Sequence, residues 1–383
     1  MDLYNSYVEI DCERICMNIR SIRAQAGALT EVIPVLKCDA YGLGAGVIAR
    51  EIARGTDVGT FAVAQVGEAA ALRNEGIRQE ILVLAGVPEE LIAPAVEKDI
   101  QLTVYSAAFA CMVIREALRQ GKQAGIQIKI ETGLNRLGVR PGEELAELLA
   151  LLKGQSCVKI KGVYSHFIDG EMMGSPLALA QFSRFEQALE QIRDEGIEVP
   201  LRHMCNSGAS DWYREALLDG MRIGRRLYMD SQRQPRPAGA SGAVEEAASW
   251  RTRIVNLRLV QPGETVGYDE AFRATAPTTV AVIAVGYGDG LDERLAGTQA
   301  PVLVTEAGAE ARYLCICMDQ SMIDVSGIDC RVGDEVTLWG RTSGGAFLSA
   351  QRVGAAIGHE GVYFYSRLSH RVQRVYINAN SNH

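Results

Sequence analysis

Several short segments of the sequence carry polar side chains directly after an apolar run, in a position where they could take part in chemistry. In IPVLKCDAYGLG (33–44), four apolar residues lead to Lys37. A charged amine at the end of a buried strand either extends to solvent or has a chemical role, and this segment alone favours neither. Comparable residues follow later apolar runs, namely Lys129, Glu131, Arg136, His166, His203, Asn206, Ser207 and Arg222. Taken singly, each could be an ordinary hydrogen-bonded or ion-paired residue.

Eight short apolar segments recur in the first 230 residues and alternate with stretches of helical spacing. The segments are 32–36, 60–64, 81–86, 101–105, 126–130, 158–167, 200–205 and 219–224, with helices predicted at 67–76, 142–154 and 178–196. This alternation predicts βαβ units, and eight units favour a (β/α)8 barrel of the TIM type over an open doubly wound sheet. The strands of such a barrel end at one mouth, so the polar residues above are expected to gather there.

The pattern changes near a Pro/Gly/Ala/Ser-rich stretch at 232–249, which we interpret as a connector. Beyond it, β-like segments at 252–260, 278–285, 301–304 and 334–340 are separated by turns, with one short helix predicted at 349–358. We therefore predict a barrel over residues 1–239 and a mainly β domain over residues 240–383.

Composition narrows the class of protein. The 383 residues carry a net charge of −8 without a block of Lys/Arg, which argues against nucleic-acid binding. No apolar stretch approaches the roughly 18 residues of a membrane span, and the start lacks the pattern of a signal peptide. Nine scattered cysteines predict reduced thiols in a cytoplasmic protein. We interpret Cys315-Ile-Cys317 as strand alternation with one thiol on each face, and predict no metal site.

Two loops favour a phosphate-bearing ligand. NSGAS (206–210) and RIGRR (222–226) follow the seventh and eighth predicted barrel strands, and small residues there expose backbone N–H groups where barrels commonly bind phosphate. A lysine across the mouth favours pyridoxal 5'-phosphate, which forms a Schiff base with a lysine amine. On spacing alone, a barrel that binds a phosphorylated sugar remains the alternative.

The motifs taken together resemble those of the alanine racemase family, in the same order, from about residue 7 to residue 377. They are VLKCDAYGLG, KIETGLNRLGV, GVYSHF, CNSGAS, MRIGRRLY, LVQPGETVGYDEAFRA, AVGYGDG, CMDQSMIDV and RVQRVYI. The resemblance implies a pyridoxal-phosphate barrel, a β domain, and a head-to-tail homodimer with shared active sites. It also implies racemisation of a small amino acid, with alanine first and serine or another amino acid next, and supply of D-alanine to a bacterial cell wall.

The resemblance also implies roles for individual residues. Lys37 would hold the cofactor and act as one catalytic base, and Tyr268 would be the other, contributed by the partner subunit. His166 would hydrogen-bond that tyrosine, and Arg222 would meet the pyridine nitrogen of the cofactor. The implied phosphate contacts are Tyr41, Ser207 and the backbone of Gly224 and Arg225. Arg136 would lie near the cofactor's phenolic oxygen and the substrate carboxylate, Met318 would also contact the substrate, Tyr287 would line the approach to the site, and Lys129 would be carbamylated.

Three departures from the family pattern concern substrate choice. The family's phosphate-contacting tyrosine aligns with Val362, unless a one-residue shift brings Tyr363 into that place. The loop after His166 differs, and Cys315 stands where the family usually has arginine. Two other functions remain open: a barrel-type decarboxylase of basic amino acids, although its HxGS signature is missing, and a non-catalytic carrier of the cofactor, although such carriers lack a second domain.

Overall fold

The structure is a computed structural model and describes residues 4–27, 30–230 and 244–379. The chain forms two compact units. The first unit contains the segments Cys16–Ala40 and Ala45–Val244, and the second contains Met1–Ile15, Tyr41–Gly44 and Glu245–His383. The chain therefore passes through the second unit twice before its C-terminal half.

The first unit is built on a sheet of eight parallel strands. After β1 (Ser6–Asp11), the sheet strands in chain order are β2 (Glu31–Pro34), β3 (Thr60–Val63), β4 (Glu80–Val83), β5 (Gln101–Val104), β6 (Ala124–Lys129), β7 (Val158–Tyr164), β8 (Arg202–Asn206) and β9 (Gly220–Ile223). Their spatial order is β2-β9-β8-β7-β6-β5-β4-β3, and a parallel bridge from Val35 to Ala62 joins the two ends. The sheet is thus a closed barrel, which confirms the predicted (β/α)8 class and all eight predicted strands.

Helices follow most of these strands. They are α1 (Cys12–Ala26), α2 (Lys37–Gly42), α3 (Ala45–Gly55), α4 (Val66–Asn74), α5 (Ile92–Glu97), α6 (Ala107–Gln120), α7 (Glu143–Leu152) and α8 (Pro176–Asp194). Local sequence sets several of their ends. The Ser106 side chain accepts a hydrogen bond from the Phe109 N–H at the start of α6, and Gly121 ends that helix in the left-handed conformation. After β8, short 3₁₀ turns stand in place of a full helix.

Strands β3, β5 and β9 are buried along their whole length, as parallel strands covered by helices should be, and the other barrel strands are buried over most or part of theirs. Inside the barrel, Ile33, Val35, Ala62, Leu82 and Tyr164 form one apolar cluster. The cluster holds the strands at fixed spacing, and this rigidity is what allows side chains at the strand ends to be positioned.

The second unit is a β structure of its own. Its later strands are β10 (Ala248–Val260), β11 (Thr265–Val266), β12 (Phe272–Arg273), β13 (Thr278–Ile283), β14 (Pro301–Val304), β15 (Ala309–Ile316), β16 (Ser321–Asp324), β17 (Glu335–Arg341), β18 (Phe347–Leu348) and β19 (Gln373–Ile377). The pairing of β17 with β10 closes the order β17-β14-β15-β16-β13-β10 into a ring of six strands. Two short helices, α9 (Ala350–Ala355) and α10 (Val362–Arg367), complete the unit. The predicted mainly β character is confirmed.

The boundary between the units differs from the predicted one at the N-terminus. Strand β1 pairs antiparallel with β10 and parallel with β19, so residues 4–15 lie in the second unit and not in the barrel. The barrel range of 1–239 therefore begins too early. The reason is physical: β1 is identified as part of the second unit only by partners more than 200 residues away, and no local pattern reports such a pairing.

The connector predicted at 232–249 lies mostly outside the described residues. Its last part is described, and there the chain already enters β10 at Ala248. The helix predicted at 349–358 is present in shortened form as α9.

Candidate active site

Lys37 follows β2 after two further buried residues, Val35 and Leu36, and begins the single helical turn α2. The four residues after it, Cys38, Asp39, Ala40 and Tyr41, all have positive φ between 52° and 59°. A left-handed turn of non-glycine residues costs roughly 1–2 kcal/mol per residue, so the surrounding structure must compensate for it. The Cys38 N–H donates to the Glu68 carboxylate, and the Ala45 N–H donates to Asp39 Oδ1 at 2.7 Å. The composition of the segment indicated a turn but not its handedness.

Arg222, in β9, is the centre of a buried hydrogen-bond network at the mouth of the barrel. Its Nη2 donates to the Ser165 carbonyl at 2.6 Å and to His166 Nδ1 at 3.1 Å. Its Nη1 donates to His203 Nδ1 at 2.6 Å. The structure therefore brings together three residues that the sequence placed at the ends of three separate strands, but His203 is the second residue of β8, so its predicted position at the end of that strand is wrong.

Lys129 ends β6 and is buried within the same group. Its Nζ lies 4.3 Å from the centroid of the Tyr164 ring, and the Arg222 guanidinium lies 4.9 Å from the same centroid. The His203 ring stacks on Tyr164 at 5.0 Å. Tyr164 is thus an aromatic platform that contacts two cations by cation–π interaction. The sequence reasoning did not identify it, because an aromatic residue inside a strand looks like ordinary core.

The electrostatics of the barrel mouth follow from burial and excess positive charge. Burial and the nearby Arg222 and Lys129 hold the pKa of His166 and of His203 well below the usual histidine range, so both rings are neutral. Burial, with Arg222 and Arg136, likewise lowers the pKa of Lys129 well below its usual range. Burial lowers the pKa of Arg222 to about 10, at which it remains a cation.

Arg136 lies on the exposed loop after β6. Among the described residues, no hydrogen bond or ion pair joins it to Glu131, whose carboxylate accepts from the Gly133 N–H. Its charge acts on His166, Lys129 and Arg222, whose pKa values it lowers in addition to the effect of burial. The ion pair considered from the sequence is therefore not formed, and Arg136 adds to the positive field of the mouth.

The loops after β8 and β9 are held together by hydrogen bonds. The Gly224 N–H donates to Ser207 Oγ at 3.0 Å, which links the two loops predicted to bind phosphate. Arg225 pairs with Glu171 from the loop after β7. Below them, the fully buried Arg226 donates from Nη1 to Ser210 Oγ at 2.6 Å and to Asp211 Oδ1 at 2.8 Å. No pattern in the sequence indicates this buried ion pair.

In the second unit, three candidate residues lie on one surface. Tyr268 and Met318 line the same depression, and 78% of Tyr268 is exposed. The Tyr287 N–H donates to the Cys317 carbonyl at 3.0 Å, and the Gly288 N–H donates to the Met318 carbonyl at 2.9 Å. Arg371 binds both Asp289 and Asp319, each at 2.8 Å, and clamps the two loops from the side. These three side chains are therefore displayed on a rigid backbone.

The turn that carries Tyr268 rests on Cys315. Gly267, with a φ of +82°, approaches so closely that a Cβ on it would lie 2.3 Å from the Cys315 Sγ. The Sγ atoms of Cys315 and Cys317 are 3.9 Å apart, so the prediction of one thiol on each strand face is wrong. Residues two apart in a strand share a face.

The remaining candidate residues, Tyr363 or its neighbour Val362 and Tyr41, do not line that surface depression. The Tyr363 hydroxyl donates to Asp292 Oδ2 at 2.6 Å and accepts from Arg294 Nη2 at 3.1 Å. Its ring stacks on His359. Val362 begins the same helix, α10, and has no hydroxyl. Because the Tyr363 hydroxyl is already hydrogen-bonded, the structure does not decide whether Val362 or Tyr363 takes the place of the family's phosphate-contacting tyrosine. Tyr41 ends the left-handed run after Lys37 and is half-buried.

The barrel mouth gathers groups of the kind that hold an anion beside an amine. Lys37, Lys129, Arg136 and Arg222 all act electrostatically on His166, while Ser207 and the adjoining loop amides lie at the position where barrels bind phosphate. This set of groups fits a phosphorylated cofactor that reacts with a lysine. Fold and site together define a barrel enzyme of the pyridoxal-phosphate-dependent class with an added β domain.

Comparison with known proteins gives the family. Residues 10–232 match the model of the alanine racemase N-terminal domain, and residues 247–376 match that of the alanine racemase C-terminal domain. The chain is 32% identical to alanine racemase 2 of Caldanaerobacter subterraneus over 97% of this chain and 94% of that protein. It is also 32% identical to the alanine racemase of Clostridium tetani, over 97% of this chain and 95% of that protein.

Solved structures agree. The fold matches alanine racemase of Clostridium difficile 630 with a TM-score of 0.90 and 26% identity, over 98% of this chain and 97% of that one. It matches alanine racemase from Bacillus anthracis with bound L-Ala-P with a TM-score of 0.90 and 28% identity, over 99% and 97%. The chain belongs to the alanine racemase family, whose members depend on pyridoxal 5'-phosphate, and it is an amino-acid racemase. No helix among the described residues has the length and apolar character to cross a membrane.

Proposed function

We propose that the protein interconverts L- and D-alanine by a two-base mechanism in which Lys37 serves one face of the substrate and Tyr268 of the partner subunit serves the other. The observation that carries this proposal is the buried cationic mouth of the barrel around an amine, in a chain whose relatives are named alanine racemases. Serine or another small amino acid is the next substrate to test, because the chain differs from the family pattern at Cys315 and in the loop after His166.

The side chains of the barrel have separate tasks in this proposal. Lys37 holds the cofactor, and Ser207, Tyr41 and the backbone of Gly224 and Arg225 bind its phosphate. When bound, pyridoxal 5'-phosphate withdraws electrons from the Cα of an attached amino acid and makes the Cα proton removable. Arg222, kept cationic, would face the pyridine nitrogen and disfavour its protonation, since two positive groups in contact repel. That weaker electron withdrawal favours return of a proton to Cα over transamination.

Inversion at Cα requires a base on one face and an acid on the other. A lysine amine and a tyrosine hydroxyl can each donate or accept a proton, so the pair can exchange roles when the reaction runs in reverse. His166, held neutral with its Nδ1 accepting from Arg222, carries its proton on Nε2 and can donate a hydrogen bond to the hydroxyl of Tyr268. Arg136 and the Met318 backbone N–H bind the substrate carboxylate, and Tyr287 lines the approach.

A homodimer is proposed because the second unit displays catalytic candidates on its surface. Tyr268, Met318 and Tyr287 are 78%, 52% and 42% exposed. Clustered aromatic and apolar side chains on a surface commonly mark a protein–protein contact. The loop after β7 and the start of α8 in the barrel unit expose a second apolar group, Ile168, Met172, Met173, Leu177 and Leu179. We propose that contact with a second copy of the chain covers such surfaces.

Lys37→Ala tests the assignment of the cofactor. The wild-type protein should be yellow, borohydride should attach the cofactor covalently to Lys37, and the variant should lose both the colour and roughly 10³-fold or more of the turnover. Lys153→Ala, on an exposed ion-paired lysine of the same unit, is the matched control and should retain both. A protein that stays colourless after incubation with the cofactor would refute the proposal.

Mixing two inactive variants tests the shared site. A heterodimer of Lys37→Ala and Tyr268→Phe subunits contains one site with both bases intact, so activity should return to about one quarter of wild type after subunit exchange of equal amounts. Exchange within either variant alone should restore nothing. Continued inactivity of the mixture, with heterodimers demonstrated by mass spectrometry, would contradict a site built from two subunits.

Carbamylation of Lys129 is proposed on the same electrostatic grounds. A lowered pKa increases the fraction of the amine that is unprotonated and able to react with carbon dioxide, and the anion formed would offset the charges of Arg222 and Arg136. Incubation with ¹³C-bicarbonate should give a carbamate carbon signal that is absent from Lys129→Met. An unchanged signal in the variant would place the modification elsewhere.

A chiral assay of the common L-amino acids in deuterated buffer decides the substrate and the class of reaction together. Alanine should invert fastest, with deuterium at Cα. Preferred inversion of serine would change the substrate, and release of carbon dioxide from ornithine or lysine would favour a decarboxylase. A cytoplasmic location and a role in cell-wall precursor supply stay predictions.

A further inference from the structure

A chain of polar side chains crosses the interior of the barrel from the mouth to the opposite end. It begins at Arg222, whose Nη1 lies 2.6 Å from His203 Nδ1. His203 Nε2 lies 2.6 Å from Gln127 Oε1, and Gln127 Nε2 donates to Gln101 Oε1 at 2.7 Å. Gln101 Nε2 then donates to Glu80 Oε2 at 2.8 Å. On the other side of that carboxylate, Lys161 Nζ donates to Glu80 Oε1 at 2.6 Å.

The chain connects two faces of the fold. Gln101 and Glu80 are the first residues of β5 and β4, at the amino ends of the strands, whereas Arg222 lies near the carboxyl end of β9. In a parallel barrel these ends lie on opposite faces. His203 and Gln127 have no exposed surface, and Gln101 and Arg222 are 3% exposed. By contrast, 44% of the Glu80 side chain is exposed, so the chain ends in a carboxylate at the rim of the base.

Every hydrogen bond in the chain points the same way. An arginine can only donate, so His203 Nδ1 must accept and the proton of the neutral ring must be on Nε2. That N–H donates to Gln127 Oε1, which orients the Gln127 amide so that its nitrogen faces Gln101. An ionised carboxylate can only accept, and it orients Gln101 in the same sense. Although partial burial opposes ionisation, hydrogen bonds from Lys161 and Gln101 lower the pKa of Glu80 and keep it ionised.

Apolar side chains would fill the barrel interior at lower cost. Burial of an amide is unfavourable unless all its hydrogen bonds are made, and well-packed apolar residues are often as stable as a buried polar group. The barrel accommodates the chain with a small residue at a critical point: a Cβ on Gly162 would lie 3.1 Å from Gln127 Oε1 and 2.6 Å from the Leu201 carbonyl oxygen. The hydrogen bonds of this chain all run in one direction, from Arg222 to Glu80, and filling of the barrel interior does not explain that arrangement.

We propose that Gln127, Gln101 and Glu80 are positioning residues that act through His203 on Arg222. Their hydrogen bonds set His203 as a neutral ring with an unprotonated Nδ1, and that atom holds the Arg222 guanidinium in its orientation. The inference rests on the proposed function in one respect, namely that Arg222 faces the pyridine nitrogen of the cofactor. The protonation state of His203 does not depend on that assignment.

Reversal of the chain from its exposed end tests the inference. Glu80→Lys places a donor where the carboxylate accepts, so Gln101 and Gln127 must both turn and His203 must carry its proton on Nδ1, facing the donor Arg222. Glu80→Gln is the matched control, because its carbonyl oxygen can still accept from Gln101. Gln127→Met, which removes the acceptor of the His203 N–H, is a second variant that leaves the rim untouched.

The measurement is ¹⁵N NMR of histidine-labelled protein with the cofactor bound and no substrate, in a chain with five histidines. Wild type and Glu80→Gln should show His203 protonated on Nε2 alone. In Glu80→Lys and Gln127→Met, the ratio of the Nδ1-protonated to the Nε2-protonated form should rise about fivefold or more, the factor that corresponds to one net hydrogen bond. An unchanged His203 in Glu80→Lys and Gln127→Met, or the same change in Glu80→Gln, would overturn the inference.

A second readout concerns the consequence for Arg222. With L-alanine present, the number of racemisation turnovers per cofactor lost to transamination should fall about fivefold in Glu80→Lys and stay constant in Glu80→Gln. If this number of turnovers stays constant in a variant whose His203 proton has moved to Nδ1, the inference that the chain acts on Arg222 would be overturned. A protein that binds no cofactor would refute the proposed function, while the position of the His203 proton would still be measurable.

Discussion

The candidate residues of the barrel and those of the second unit are presented in opposite ways. In the barrel, Lys129, Arg222 and His203 are buried and joined to one another through hydrogen bonds and a shared aromatic ring. In the second unit, Tyr268 and Met318 extend into solvent from turns held by backbone hydrogen bonds and by the ion pairs of Arg371. Both sets come from the same chain and, by the family's pattern, serve the same reaction.

The difference shows what each set needs from the fold. A site that binds an anion must hold several basic groups close together, and burial keeps its histidines neutral and lowers the pKa of Lys129, so that the repulsion stays tolerable. A proton-transfer group on a protein surface needs only a fixed direction until a partner covers it. The barrel set is therefore complete within one subunit, and the second set, in our proposal, becomes complete only in the dimer.

The largest effect is expected where a buried charge of the barrel loses its partner. Arg226→Leu leaves the Asp211 carboxylate buried without its cation, which should lower the free energy of unfolding by about 3–5 kcal/mol. Urea unfolding followed by circular dichroism measures the change. The control is Arg202→Leu, which breaks a half-exposed pair with Asp219 and should cost about 1 kcal/mol or less. Equal losses in the two variants would erase the contrast between buried and exposed charge.

The next effect belongs to the exposed set and should leave stability untouched. Tyr268→Phe removes one hydroxyl from a side chain that is 78% exposed, so the unfolding midpoint and the colour of the protein should not change. Turnover should nevertheless fall by roughly 10²–10³, because one of the two proton-transfer groups is gone. Tyr4→Phe, on another exposed tyrosine, should change neither property. Unchanged racemisation in both directions would refute the two-base assignment.

The smallest expected effect is a dependence of the free energy of unfolding on pH that comes from the second unit and not from the barrel. Burial raises the pKa of Glu246, in the second unit, to about 7, above its usual value near 4.5. The folded protein then binds a proton more readily than the unfolded chain, so this group stabilises the fold at low pH, and that contribution fades as the pH rises from about 4.5 to 7. The loss should amount to about 2–3 kcal/mol.

Glu246→Gln should remove this part of the pH dependence, because an amide can still accept hydrogen bonds from the Ala350 N–H and the Tyr365 hydroxyl. Denaturant titrations at pH 5 and pH 8 measure it. Glu245→Gln, at the exposed neighbouring position, should keep the wild-type slope. If the free energy of unfolding changes with pH equally in Glu246→Gln and wild type, another group is responsible for the pH dependence.

Much of the architecture could be predicted from local patterns. Eight apolar segments alternating with helical spacing indicated the barrel, and the residues after them indicated its mouth, because the repeat of a βαβ unit is visible in composition and spacing. The same reasoning missed β1, the left-handed run from Cys38 to Tyr41 and the pair between Arg226 and Asp211. Each of these depends on contacts between distant parts of the chain or on a backbone angle that residue type does not report.

The prediction that Cys315 and Cys317 lie on opposite faces of a strand was wrong for a different reason. Cys315 and Cys317 are two residues apart, and the period of a strand places them on one face, as the 3.9 Å between their sulfur atoms shows. The period was available in the sequence and was applied wrongly. The position of the pair beneath Gly267, and hence beneath the Tyr268 turn, was not available.

What the sequence by itself determined is the identity and order of the chemical groups: an amine after the first predicted barrel strand, cations and histidines after later ones, and a tyrosine in a second domain. Their order follows from strand periodicity, which acts over a few residues. The tertiary structure alone decided their state. Burial lowered the pKa of His166, His203 and Lys129, and closure of the barrel aligned Gln127, Gln101 and Glu80 behind Arg222. Protonation and hydrogen-bond direction depend on every neighbour in space, and only the folded chain defines those neighbours.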